Sequence, residues 1–301
     1  MRSLLNATKL LPVRLPVACA GFPGKPSKPD AAPAAAREQA EPVQLPFAEP
    51  DAPMDELDSD VVFSALAGEI ATQRGQLDVA YRYQLQTAIL SGDAVAAQRA
   101  TRIAILLKQQ EQALKAVKLW IGMAPNDLAG RQLAASLLLQ AGQQQQALKE
   151  LQAVVGISEA KGDDGFLNAM AALSKEQDHA LALDTMRSLQ SAHRDDPRAG
   201  YALALMAFMW KDYALAEAET RSLIQQHPDW SKGYILLSRL YGARGDQASA
   251  LEVLKQAVDR QPDDELLVGA YARLLVDAGD YEQAYRQFLK LRRLKPEDAD
   301  V

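Results

Sequence analysis

The 301-residue sequence predicts an all-α fold, about seven helical hairpins in series behind a disordered Pro/Ala-rich N-terminal tail. Three observations carry that prediction. Ala80, Ala113, Ala147, Ala182, Ala216, Ala250 and Ala284 stand 33, 34, 35, 34, 34 and 34 residues apart. Ten of the fifteen prolines fall between Pro12 and Pro53, so the chain changes texture near residue 57. Beyond it the composition is Ala, Leu and Gln with sparse Gly and no β-branched run, which is helical material.

Taken in order, residues 1–20 hold the single cysteine in the segment LPVACAG, and residues 21–57 form a Pro/Ala-rich tether such as FPGKPSKPDAAPAAAREQAEP. Proline removes backbone donors and biases its predecessor away from helix, so this stretch is expected to be extended. With few large apolar side chains it cannot offset the entropy of folding. Asp58, Ser59 and Asp60 then offer N-caps for the first helix of an array over residues 58–296.

Around each repeat alanine lies a related fragment: RGQLDVAY, QQEQALKA, GQQQQALK, EQDHALALD, KDYALAEAE, RGDQASALE and AGDYEQAYR. Pro125, Pro228, Pro262 and Pro296 each follow their alanine by twelve residues. In the unit Ser231 to Pro262, Tyr234, Leu237 and Tyr241 make one apolar stripe on the first helix. Gly245 and Asp246 make the turn, because glycine accepts the positive φ that closes a helix. Ala250, Leu254 and Ala257 share a face of the second helix, with Ala250 small where the two helices come closest. Pro262 cannot continue the helix. The next unit copies this with Tyr271, Leu275, Gly279, Tyr281, Ala284, Phe288 and Leu291. The first hairpin keeps only Gly75 and Ala80, and the fifth replaces the turn glycine with Lys211. Residues 297–301 read as the truncated start of a further repeat, which implies either a longer array or self-association through an uncapped end.

The period, the small residue in the second helix and the proline after it resemble the tetratricopeptide repeat (TPR) family. That resemblance implies a right-handed superhelix whose first helices line a groove for protein segments. The groove positions it implies include Arg99, Arg102, Arg198, Tyr201, Leu205, Phe208, Met209, Arg239 and Arg273, with Gln98, Gln132, Ser136, Leu139 and Asn168 beside them. The carboxylate clamp of some family members is absent, since its places hold Ile235, Leu236 and Arg239, or Gly269, Ala270 and Arg273. Each apolar groove residue has a packing alternative, above all Leu205 and Phe208 against the neighbouring hairpin.

The N-terminal part carries a narrower resemblance. AGEIATQRG, the QRATRIA segment from Gln98 to Ala104, and LW followed by APNDLAGR are similar to the start of a family of proteobacterial outer-membrane TPR lipoproteins, over residues 60–142. One member of that family is the adaptor of a periplasmic carboxyl-terminal processing protease, to which it presents cell-wall hydrolases. LPVAC resembles a lipobox with Cys19 as the lipidation candidate, although Pro16 replaces the usual Leu and Lys9 and Arg14 interrupt the apolar core. Ala20 in place of a retaining Asp implies the outer membrane. A scaffold at its periplasmic face is therefore expected, touching the membrane only through a lipid anchor. A cytoplasmic scaffold, or the interaction half of a longer enzyme, are the alternatives.

Composition excludes several other classes. A net charge of −6 argues against nucleic acid, which needs concentrated Lys and Arg. One Cys and three scattered His residues (His179, His193, His227) supply no disulfide framework or metal spacing. No HExxH, GxSxG, CxxC or phosphate loop is present, so neither catalytic residue nor cofactor is expected.

Overall fold

The computed structural model describes residues 59–294, and all of them that lie in regular structure are helical. The lipobox-like segment with Cys19, the tether, Asp58 and residues 297–301 lie outside the described residues.

Fourteen helices form seven hairpins among the described residues. The first three hairpins are α1 (Ser59–Gln73) with α2 (Leu77–Ser91), α3 (Ala94–Leu106) with α4 (Gln110–Met123), and α5 (Leu128–Gln140) with α6 (Gln144–Ala160). The fourth is α7 (Gly165–Leu173) with α8 (His179–Ala192), and the fifth is α9 (Pro197–Met209) with α10 (Tyr213–Gln226). The last two are α11 (Ser231–Ala243) with α12 (Gln247–Arg260), and α13 (Glu265–Asp277) with α14 (Tyr281–Leu294). Each hairpin packs on the next, so the array is an all-α solenoid.

The repeat alanines do what their size demands. All seven are 0–2% exposed, each wedged where its helix meets a neighbour. Aspartate organises the helix starts: Asp93, Asp127, Asp164, Asp196 and Asp264 accept a backbone N–H at the start of a first helix. Asp178, Asp212, Asp246 and Asp280 do the same for second helices. Pro197 opens α9, where its missing N–H has no helical partner to lose. Trp120 is core, 3% exposed.

Six hairpin turns close alike, with one residue at positive φ followed by a backbone N–H bonded to the carbonyl five residues earlier. Glycine fills four of these places, Lys211 the fifth hairpin's, and Lys108 (φ 57°) the second's. The fourth hairpin departs from the pattern. Helix α7 has nine residues where the other first helices have 13 to 15. No residue between α7 and α8 takes positive φ, and the Glu176 N–H bonds Leu173 O instead of closing the longer ring. As a result α7 leans chiefly on α6 and α9 and touches its own partner α8 only slightly.

From α5 onward the first helices form an inner row. Helix α5 touches α7, α7 touches α9, α9 touches α11 and α11 touches α13, whereas among second helices α6 and α8 are the comparable pair. In a stack of hairpins the layer whose members approach one another more closely faces inward. No helix among the described residues is long and apolar enough to cross a membrane.

Candidate partner-binding face

The predicted groove residues all lie on first helices, and the structure separates them into different roles. Arg102, Arg239 and Arg273 are exposed on α3, α11 and α13, and no salt bridge among the described residues engages them. Arg99 is exposed and stands 3.6 Å from Glu69 of α1. Met209 is 53% exposed. Leu205 and Phe208 are half-buried against the cluster built by Leu236, Leu237 and Leu240, so packing takes most of their surface. Leu139 is 2% exposed and belongs to the core. Ser136 donates to Glu176, and Asn168 donates its amide to Ser158 Oγ at 3.0 Å, so both serve internal contacts.

Arg198 and Tyr201 are brought together with residues that repeat counting passed over. The Tyr201 ring meets Trp230 edge-on, centroids 5.1 Å apart. Lys232 Nζ lies 5.9 Å from the Trp230 centroid, and the Arg198 guanidinium lies 5.5 Å from that of Phe166. Phe166 meets His193 edge-on at 5.2 Å. Between them is an open depression of about 680 Å³ lined by His193, Arg194, Asp195, Asp196, Pro197, Arg198 and Trp230. Burial raises the Tyr201 hydroxyl above the ordinary phenol value, while nearby Arg239 pulls it back and Asp164 adds to the rise.

One signal for Trp230 was available in the sequence. It occupies the N-cap place that aspartate fills before α5, α7, α9 and α13, and α11 begins without a side-chain cap. A tryptophan where first helices favour a capping acid gives up roughly 1 kcal/mol of helix stability. A second exposed surface lies on the first helices of hairpins one and two, where Leu66 (58%) on α1 and Val95 (52%) and Leu106 (70%) on α3 are open to solvent. Met209 on α9 and Leu266 on α13 hold the places of Leu106 and Val95 and are likewise exposed, at 53% and 56%.

Arg198 is anchored rather than free. Its Nε donates to both Asp196 oxygens at 2.9 and 3.1 Å, and Nη2 donates to Glu159 Oε1 at 2.6 Å. The hydrogen bond from Arg198 holds the Asp196 carboxyl below its ordinary value of 3.8, against partial burial, and Asp196 in turn raises the guanidinium. A carboxyl depressed by folding contributes stability above its unfolded value and loses it as pH falls through the folded one. The acid limb of thermal stability below about pH 4 is therefore expected to be shallower in Asp196→Asn, whose melts between pH 2 and 5 give the comparison.

No group of three or more His, Cys, Asp and Glu among the described residues could hold a metal. The fold defines a class, the helical-repeat solenoid. The tetratricopeptide repeat model matches residues 243–301. The hairpins before it share its period and buried alanine, and all but the fourth share its turn closure, so they are similar to the matched repeats.

A TPR repeat-containing protein of Pseudomonas aeruginosa is 28% identical over 218 residues, which cover 71% of this chain. The chain spans 36% of that protein's length. Among solved structures, the MamA protein aligns over 81% of this chain and 97% of its own at 13% identity and TM-score 0.31. A tetratricopeptide repeat protein from Parabacteroides merdae aligns over 78% and 93% at 14% identity and TM-score 0.37.

Proposed function

We propose that this chain is a non-catalytic scaffold that holds protein segments against its inner face, tethered through Cys19 at the periplasmic side of the outer membrane. There it recruits a processing protease or a cell-wall enzyme. Tetratricopeptide repeats are protein-interaction scaffolds, and the observation that carries the reading here is the Tyr201–Trp230 pair with Lys232 and Arg198 beside it. Partly exposed aromatic rings beside cations supply the desolvated anchors that dominate protein interfaces. The membrane tether rests on the LPVAC segment, and the partner class on the likeness of residues 60–142 to the lipoprotein family.

Capture from envelope fractions on the full chain tests the partner class, with recovery of a processing protease or cell-wall hydrolase expected. Recovery of neither would overturn it. Tyr201→Ala with Trp230→Ala is expected to weaken capture by about tenfold or more, because anchor residues each contribute about 2 kcal/mol, while helical content stays unchanged. Mass spectrometry of the native N-terminus tests the tether. A diacylated Cys19 at the mature end supports it, and an intact Met1 with a free thiol would place the scaffold in the cytoplasm instead.

A further inference from the structure

A second cavity lies toward the turn side of hairpins two to four. It measures about 630 Å³ and is lined by the α3–α4 turn, the end of α5 and the α7–α8 turn. Ile105, Leu137, Leu139 and Leu181 supply apolar wall, and Glu176 stands among them with only 8% of its surface exposed. Glutamate is rarely buried to this degree without a countercharge, because an unpaired buried carboxylate forfeits its hydration. Yet none of the salt bridges among the described residues reaches Glu176. Its one side-chain partner is the Ser136 hydroxyl on Oε1, and no hydrogen bond engages Oε2. Across the cavity, Gln109 donates its amide N–H to Asp78 at 3.1 Å and leaves its amide oxygen buried without a donor. Exposed Lys108, Lys175 and Asp178 complete the rim.

A carboxylate oxygen that no group of the chain engages and that opens to the cavity, beside an apolar wall, suits one kind of group: a cation with N–H donors on a methylene stem. We propose that this cavity receives an arginine or lysine side chain of a protein partner, its head on Glu176 Oε2 and its stem along Ile105, Leu139 and Leu181. The proposal rests on the scaffold reading but uses a surface separate from the Tyr201–Trp230 pair. Arginine fits best, since its guanidinium donates in a planar fork suited to a carboxylate.

The experiment titrates acetyl-AARAA-amide into the full chain while following methyl resonances. Saturable shifts are expected at Ile105, Leu137, Leu139 and Leu181, and none with the same peptide carrying neutral citrulline. Glu176→Gln is expected to weaken binding by about tenfold or more, the usual worth of a hydrogen bond to a charged group. Equal binding of the citrulline peptide to the unaltered chain would overturn the proposal, and that comparison needs no variant to fold. Unchanged affinity in a folded Glu176→Gln, or saturation of the same methyls by spermidine at lower concentration than the peptide, would overturn it too, the latter assigning the cavity to a free polyamine. Tyr201→Ala with Trp230→Ala should leave the peptide shifts intact. Failure of the unaltered chain to capture an envelope enzyme while it still binds the peptide counts against the scaffold reading alone, and capture without peptide binding against the cavity alone.

Discussion

Phe166→Ala is expected to lower the stability of the array by about 3–5 kcal/mol, the range for deleting a buried aromatic ring. Over an array of this size that is roughly 10 °C in Tm by thermal circular dichroism. Phe166 is 1% exposed and is the largest of the fully buried side chains. It sits on α7, the shortest helix, which packs against α5, α6, α8 and α9. Its ring also lies under the Arg198 guanidinium and against His193, so the same change should loosen the depression beside Trp230. Phe166→Leu, which keeps most of the buried volume, should lose roughly half as much. A Tm for Phe166→Ala within about 2 °C of the parent would show that α7 does not hold the halves of the array together.

Gly165→Ala is expected to cost roughly 1–3 kcal/mol despite adding one methyl group, because overfilled contacts must be relieved by moving backbone. A Cβ on Gly165 would lie 2.6 Å from Val155 O and 2.7 Å from Val155 Cα, both main-chain atoms of α6 that no rotamer change can withdraw. Gly156 on the same helix is the internal comparison. A Cβ there meets nothing within 4 Å, so Gly156→Ala should raise stability by about 0.5–1 kcal/mol through helix propensity. Opposite changes in Tm for the two variants are the expected result. Destabilisation by both would mean that α6 tolerates no added bulk anywhere, and that the α6–α7 approach is not special.

The repeat was legible because it is written in residue size and backbone conformation. Ala80 through Ala284 are buried wherever a larger side chain would push helices apart, and Gly245 and Gly279 sit at the positive φ expected of them. Lys108 occupies the same kind of turn without announcing it, since a lysine there is held only by the hydrogen bonds that close the hairpin. The groove was legible in part. Arg102, Arg239 and Arg273 face solvent on first helices, but Leu205 and Phe208 are largely taken up by packing, and Arg198 by Asp196 and Glu159. A position within a repeat states which way a side chain leaves its helix, not what it meets.

Hairpin count, register and the helix-start aspartates follow from the amino-acid order itself, because each depends on interactions within a few tens of residues. The meeting of Tyr201 with Trp230, the closeness of Gly165 to Val155 and the burial of Glu176 were decided only when the hairpins stacked. Each joins elements from different hairpins or hinges on how far α7 extends before its turn. The fourth hairpin lacks the turn closure that sets its neighbours, so its local order leaves open where α7 ends and the contacts around it settle that point.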